Sequence, residues 1–154
     1  MKKTIFTMYI LILAIHAFST SSFAQKRTAV SGAEVTGTFR NKAGSEFQIQ
    51  ALGQGKLKIE FEGIYPYKLA DGEQTANTGE ASGEADIAGD TATFIPDYSK
   101  ESKSSCTITL RFTKPGTLVV TQEEAEIGCG FGHNVTADGT YRKISSKKPK
   151  FEEN

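Results

Sequence analysis

The chain has 154 residues, with 18 Lys and Arg against 18 Asp and Glu, 15 Gly, two Cys and no Trp. A chain of this size makes one domain and buries about two thirds of its unfolded surface. The even charge balance argues against a nucleic-acid partner, because affinity for a phosphate backbone comes largely from several Lys and Arg acting together.

Lys2 and Lys3 precede an apolar run from Ile5 to about Phe18, and Ser22, Phe23 and Ala24 follow with small residues at the first and third places. This order of charged, apolar and small-x-small segments predicts a secretory signal peptide over residues 1–24. The run is shorter than the roughly 20 residues a membrane-spanning helix needs, and no cysteine sits at the cleavage point to carry a lipid. The remainder is expected to be periplasmic or secreted, without membrane insertion after cleavage. Residues 25–33 read as a linker, 34–144 as a single β domain and 145–154 as a disordered polar tail.

Within the domain, apolar residues alternate with polar ones at period two between turn-rich stretches, the pattern of half-buried antiparallel strands. The predicted strands run from Glu34 to Arg40, Glu46 to Leu52, Lys56 to Tyr65, Glu80 to Ala88, Thr91 to Ile95, Ser105 to Thr113, Thr117 to Gln122, Phe131 to Thr136 and Thr140 to Ile144. In the third, Leu57, Ile59 and Phe61 share one face while Lys56, Lys58, Glu60 and Glu62 share the other, where cross-strand charge pairs can form. Cys106, Ile108, Leu110 and Phe112 make a second apolar face.

Gly53-Gln54-Gly55, Ala88-Gly89-Asp90, Lys114-Pro115-Gly116 and Ala137-Asp138-Gly139 carry hairpin-turn residues. Short hairpins imply an up-and-down meander, and about eight strands lower their exposed edge by closing into a small barrel. Gly37-Thr38-Phe39-Arg40 and Gly139-Thr140-Tyr141-Arg142 open alike, which suggests that first and last strands meet. A two-sheet β-sandwich is the alternative fold. Pro66 to Gly79 is polar and reads as a long loop across one mouth.

Cys106 and Cys129 are the only cysteines, and export makes a disulfide the default for such a pair. Two thiols and His133 fall short of the four ligands of a structural zinc site, so neither metal nor cofactor is expected. Gly128-Cys129-Gly130-Phe131-Gly132-His133-Asn134 superficially suggests a nucleotide loop, but such loops open a helix and nothing downstream reads as one. Asn134-Val135-Thr136 matches a glycosylation sequon, relevant only in a eukaryotic secretory route.

His133 lacks a nearby nucleophile motif, although Asp138 is close in sequence. Many carboxylates are present, and hydrolysis of a glycoside needs two facing each other, yet none stand out as a pair. Glu60 and Glu62 read as a solvated face, and Glu123, Glu124 and Glu126 as a loop. Ala81, Gly83 and Ala85 put small groups on one strand face, either for packing or to leave room for a ligand.

By its paired Gly-Thr-Phe and Gly-Thr-Tyr strand openings and its Cys106 and Cys129 pair, the chain resembles small secreted barrels of the calycin kind and periplasmic lysozyme inhibitors. The resemblance implies a barrel with one disulfide and no catalytic set. The expected function is a non-enzymatic, monomeric binding module for a protein or small molecule. The expected contact residues are Tyr65, Tyr67, Phe131, His133 and Asn134, because aromatic groups dominate contact energies. An inhibitor of lysozyme or another hydrolase, a small carboxylate-dependent hydrolase and a purely structural envelope protein are the alternatives.

Overall fold

The fold was analysed in a computed structural model that describes residues 29–102, 105–124 and 128–151. Residues 1–24, where the sequence predicts a signal peptide, lie outside the described residues. Eight strands follow one another: β1 (Gly37–Arg40), β2 (Glu46–Gly53), β3 (Lys56–Lys68), β4 (Gln74–Ala88), β5 (Thr91–Phe94), β6 (Cys106–Lys114), β7 (Thr117–Glu124) and β8 (Gly139–Ser145). Each pairs antiparallel with the next, and β8 returns to β1 to close an up-and-down barrel. The two similar strand openings do meet, with Phe39 opposite Lys143 and Arg40 opposite Arg142.

Period-two alternation decides which side is the inside. On β3, Leu57, Ile59 and Phe61 are buried while the residues between them reach the outside. Facing them across the interior are Ile108, Leu110 and Phe112 of β6, Leu118 of β7 and Tyr141 of β8, all buried. Phe61, Phe47 and Tyr141 stack in sequence, with centroids 4.6 Å and 5.0 Å apart. Phe39 meets Phe112 edge-on at 5.9 Å. Such aromatic pairs contribute about 0.5–1.5 kcal/mol each beyond area burial, so the barrel axis is filled by its own rings.

The two ends differ. At one, tight turns join β2 to β3, β4 to β5 and β6 to β7. The first of these places Gly53, Gln54 and Gly55 in the left-handed region at φ 92°, 52° and 76°, which glycine adopts without steric cost. A helical turn, α1 (Gly32–Val35), covers this end, capped by Ser31 Oγ, which accepts from Glu34 N–H, and buries Val35 in the core. Lys143 Nζ lies 5.1 Å above the Phe39 ring and donates to the carbonyls of Ala33, Glu34 and Thr36. The last strand thereby lashes down the first helical turn, where the sequence reading put part of a linker and the start of a strand.

At the other end a short turn at residues 41–45 joins β1 to β2 while the remaining connections are longer excursions, and here the sequence reading needs correction. The expected loop Pro66 to Gly79 is mostly strand: β3 and β4 run on in unbroken register from Gly63 opposite Gly79 to Lys68 opposite Gln74. They form a projecting two-stranded arm turned at residues 69–73. Phe131 to Thr136 is not a strand, since Asn134 sits at φ 63° and no ladder includes these residues; β7 and β8 are joined by this irregular segment rather than by a tight turn at Asp138. Glu123 and Glu124 belong to β7, whereas Glu126 is outside the described residues. A second helical turn, α2 (Asp97–Ser102), links β5 to β6.

The expected disordered tail begins in place. Pro149 is buried, and Lys58 Nζ lies 4.6 Å above the ring of Phe151. Apolar contact and a cation over an aromatic face supply what a purely polar tail would lack.

Tyr141 provides a test of the closed core. Its hydroxyl donates to the carbonyl of Ala137 at 2.9 Å, and burial pushes its phenol well above the ordinary value of 10.0. Because the folded phenol ionises later than the unfolded one, the associated stability is complete below about pH 10 and declines as pH rises beyond it. Ultraviolet titration is expected to show one tyrosine ionising only as the fold is lost. Tyr141→Phe, which strands the buried Ala137 carbonyl, should cost about 1–3 kcal/mol in denaturant unfolding.

Candidate functional site

The long-connection end gathers the arm, α2 and a crossing segment, residues 128–138. The disulfide between Cys106 and Cys129, with Cα atoms 4.8 Å apart and a sequence separation of 23, fastens that segment to the start of β6. For a loop of this length the chain-entropy account gives about 3 kcal/mol. From Cys129 the chain passes over the barrel mouth onto the base of the arm.

Two glycines receive it. Gly63 and Gly79 are cross-strand partners; a Cβ on Gly79 would lie 2.8 Å from the Phe131 side chain, and one on Gly63 only 2.5 Å from Val135 Cγ1. The Phe131 ring thus reaches the Phe61 ring, centroid to centroid 5.3 Å, and extends the aromatic stack to the mouth. Gly132 N–H donates to the Thr78 carbonyl at 3.0 Å, and the Asn77 amide donates to the His133 carbonyl at 2.7 Å. The alternation of Phe131, His133 and Val135 that suggests a strand is the spacing of two side chains seated on two glycines.

The sequence-derived residues therefore fall on adjoining elements. Tyr65 and Tyr67 lie on the arm, 40% and 39% exposed, with Asn77 and Thr75 opposite them in register. Phe131 is half-buried as the wedge, and His133 and Asn134 are exposed beyond it. Sequence reading singled out none of three others on these elements. Leu69 at the arm's turn is 42% exposed and Tyr98 of α2 is 57% exposed; the Tyr98 ring lies against Gly130, whose Cβ would come within 2.9 Å of it. Asn77, the clasp for His133, carries no signal in its polar surroundings.

The small residues of β4 are explained by packing. A Cβ on Gly83 would meet Asp97 Oδ1 at 3.0 Å and Phe94 Cε2 at 3.1 Å, so α2 and the core occupy that space. Asp138 accepts from Gln122 N–H at 2.6 Å and from Thr136 Oγ1 at 3.1 Å, which fixes the end of the crossing segment and commits this carboxylate to loop structure.

On the outer face, Glu46, Glu62 and Glu80 stand opposite one another on three adjacent strands, beside a groove of about 540 Å³ that Lys150 also lines. Glu46 is paired with Arg40, and Lys56 with Asp86 at 3.0 Å. The cross-strand charge pairs expected of β3 are thus present at Lys56, while Glu62 has like charges on both sides, an arrangement that is mildly destabilising.

No family model, curated protein or solved structure matches the chain. Of the resemblance expected from sequence, the structure bears out the all-β, eight-stranded closed barrel alone.

A double-mutant cycle tests the seating of Phe131. Gly79→Ala should destabilise the protein by about 1–3 kcal/mol through overpacking. In a Phe131→Ala background the same change should cost less, because Cγ and Cδ1 of the ring are gone and only Cβ of the struck atoms remains; additive losses would show that the ring and the added methyl do not touch.

Proposed function

We propose that the protein is an exported, non-enzymatic binding module that engages a macromolecular partner through the arm and the adjoining crossing segment. The observation that carries this reading is the arm itself, which holds Tyr65, Tyr67 and Leu69 outside the packed barrel on a two-stranded extension of β3 and β4. Tyrosine is enriched among residues that dominate interface energies, since it offers a large contact area with little rotamer entropy to lose.

Other features support it. The aromatic filling of the barrel favours a surface contact over a ligand carried inside. The strand exteriors bear Lys56, Lys58, Glu60, Glu62, Glu80 and Glu84, opposite to the apolar outward band of a membrane-embedded barrel. Among the described residues no helix is long and apolar enough to cross a membrane. The Cys106–Cys129 disulfide suits the oxidising compartment to which the N-terminal signal would direct the chain.

Cross-linking in the exported fraction followed by quantitative affinity capture tests the proposal. Tyr67→Ala should weaken capture of the cross-linked partner at least about tenfold, the scale of a modest hot spot, while leaving thermal unfolding unchanged. Unaltered capture by Tyr67→Ala and His133→Ala would place the contact elsewhere. A projecting arm also suits the narrower role of plugging a hydrolase cleft, for which dose-dependent protection of cell walls from purified lysozyme is the direct assay.

A further inference from the structure

The two edges of the arm are treated differently. N–H and C=O groups of a strand point alternately to either side, and Ile64 N–H reaches Ser45 Oγ on the β2 side at 3.0 Å. Even-numbered residues of β3 therefore face its outer edge. On β4 the Thr78 carbonyl, which accepts from Gly132, shows that even-numbered residues there face outward as well. Each level of the arm can be followed in turn.

Ile64 and Thr78 are opposite, and both edges are sealed, by Ser45 and by Gly132. One level out, Pro66 faces Ala76. Proline has no N–H, so the β3 edge is blocked where the β4 edge presents a complete alanine amide. At the last level Lys68 faces Gln74, placing a charge that discourages pairing on the same edge as the proline. Gln74, Ala76 and Thr78 are exposed, the run Gln74–Thr78 has neither charge nor proline, and among the described residues no strand pairs with it there.

Taking the arm as the contact surface, we propose that its open β4 edge pairs antiparallel with the same edge of a second copy, across a two-fold axis at Thr75. Gln74 then meets Ala76 of the second copy, and Ala76 meets Gln74. The two pairs are of the kind that exchange both main-chain hydrogen bonds, and no like charges are opposed. Tyr67 and Thr75 of each chain form one row across a four-stranded sheet. The unequal edges argue for a second copy: with both open, β3 of one molecule would add to β4 of the next without end, whereas blocking β3 leaves only the self-closing pairing. This departs from the monomer expected from sequence. With so few paired residues the dimer belongs to the weak, concentration-dependent class.

The test is sedimentation equilibrium of the disulfide-intact, signal-free protein from about 1 µM to about 1 mM, the range that reports weak association. Wild type should dimerise within it. Ala76→Pro removes an outward N–H without breaking a hydrogen bond between β3 and β4 and should weaken association at least tenfold, with thermal unfolding as the check that the proline ring leaves the fold intact. Thr75→Lys and Thr75→Glu should each be monomeric alone, through like charges set directly opposite, and should dimerise when mixed. A wild type monomeric throughout, a dimer indifferent to Ala76→Pro, or no rescue on mixing would each overturn the pairing. A wild type that stays monomeric yet captures a foreign partner, with capture lost in Tyr67→Ala, would leave the arm as the binding surface and reject self-pairing alone.

Discussion

The long-connection end rests on the absence of side chains at Gly63 and Gly79. Because these two are cross-strand partners, the base of the arm has a shallow floor, and Phe131 and Val135 settle on it from above. With the segment that close, Gly132 can reach the edge of β4 and Asn77 can hold the backbone at His133. The disulfide fixes the root of the segment, and Asp138 fixes its exit. A methyl group at either glycine would lift the segment away and unfasten the arm from the barrel mouth.

Hydrophobic alternation reports a strand only where one face is buried and the other wet. The barrel portions of β2, β3 and β6 meet that condition, so their bounds and inward faces are legible in the sequence, as is the seam between β1 and β8 from the paired strand openings. The outer half of the arm does not meet it. Gln74 to Thr78 is exposed or half-buried on both faces, so no apolar period marks it, and Pro66 reads as a strand breaker although it occupies an edge where proline is tolerated. The same principle misleads in reverse at Phe131 to Val135, where two residues reaching toward two glycines imitate a strand. The tyrosines of the arm could be picked out as exposed aromatics near a mouth. Their placement on a strand comes from pairing with Asn77 and Thr75 in a stretch without apolar period, and the roles of Asn77 and Tyr98 depend on contacts more than 30 residues distant that have no local signature.

The barrel is a scaffold rather than a container. Its axis is taken by Phe39, Phe47, Phe61, Phe112 and Tyr141, and Phe131 continues the stack to the rim. The small residues on β4 accommodate Phe94, α2 and the crossing segment. For the binding arm proposed above, a well-anchored base would matter, because a contact residue held in place loses less entropy when a partner arrives.

The clasp at the opposite end bears on how the molecule comes to be folded. Lys143 takes the carbonyls of Ala33, Glu34 and Thr36, and its own strand closes the barrel against β1. Both contacts join residues about as far apart in sequence as the domain allows, and such non-local pairings are slow to form. The first helical turn and the seam must wait for the final strand, so a chain emerging N-terminus first stays open at its seam until nearly all of it has arrived. For the exported protein proposed above, that delay would keep the polypeptide threadable during passage and leave barrel closure to the compartment where the disulfide forms.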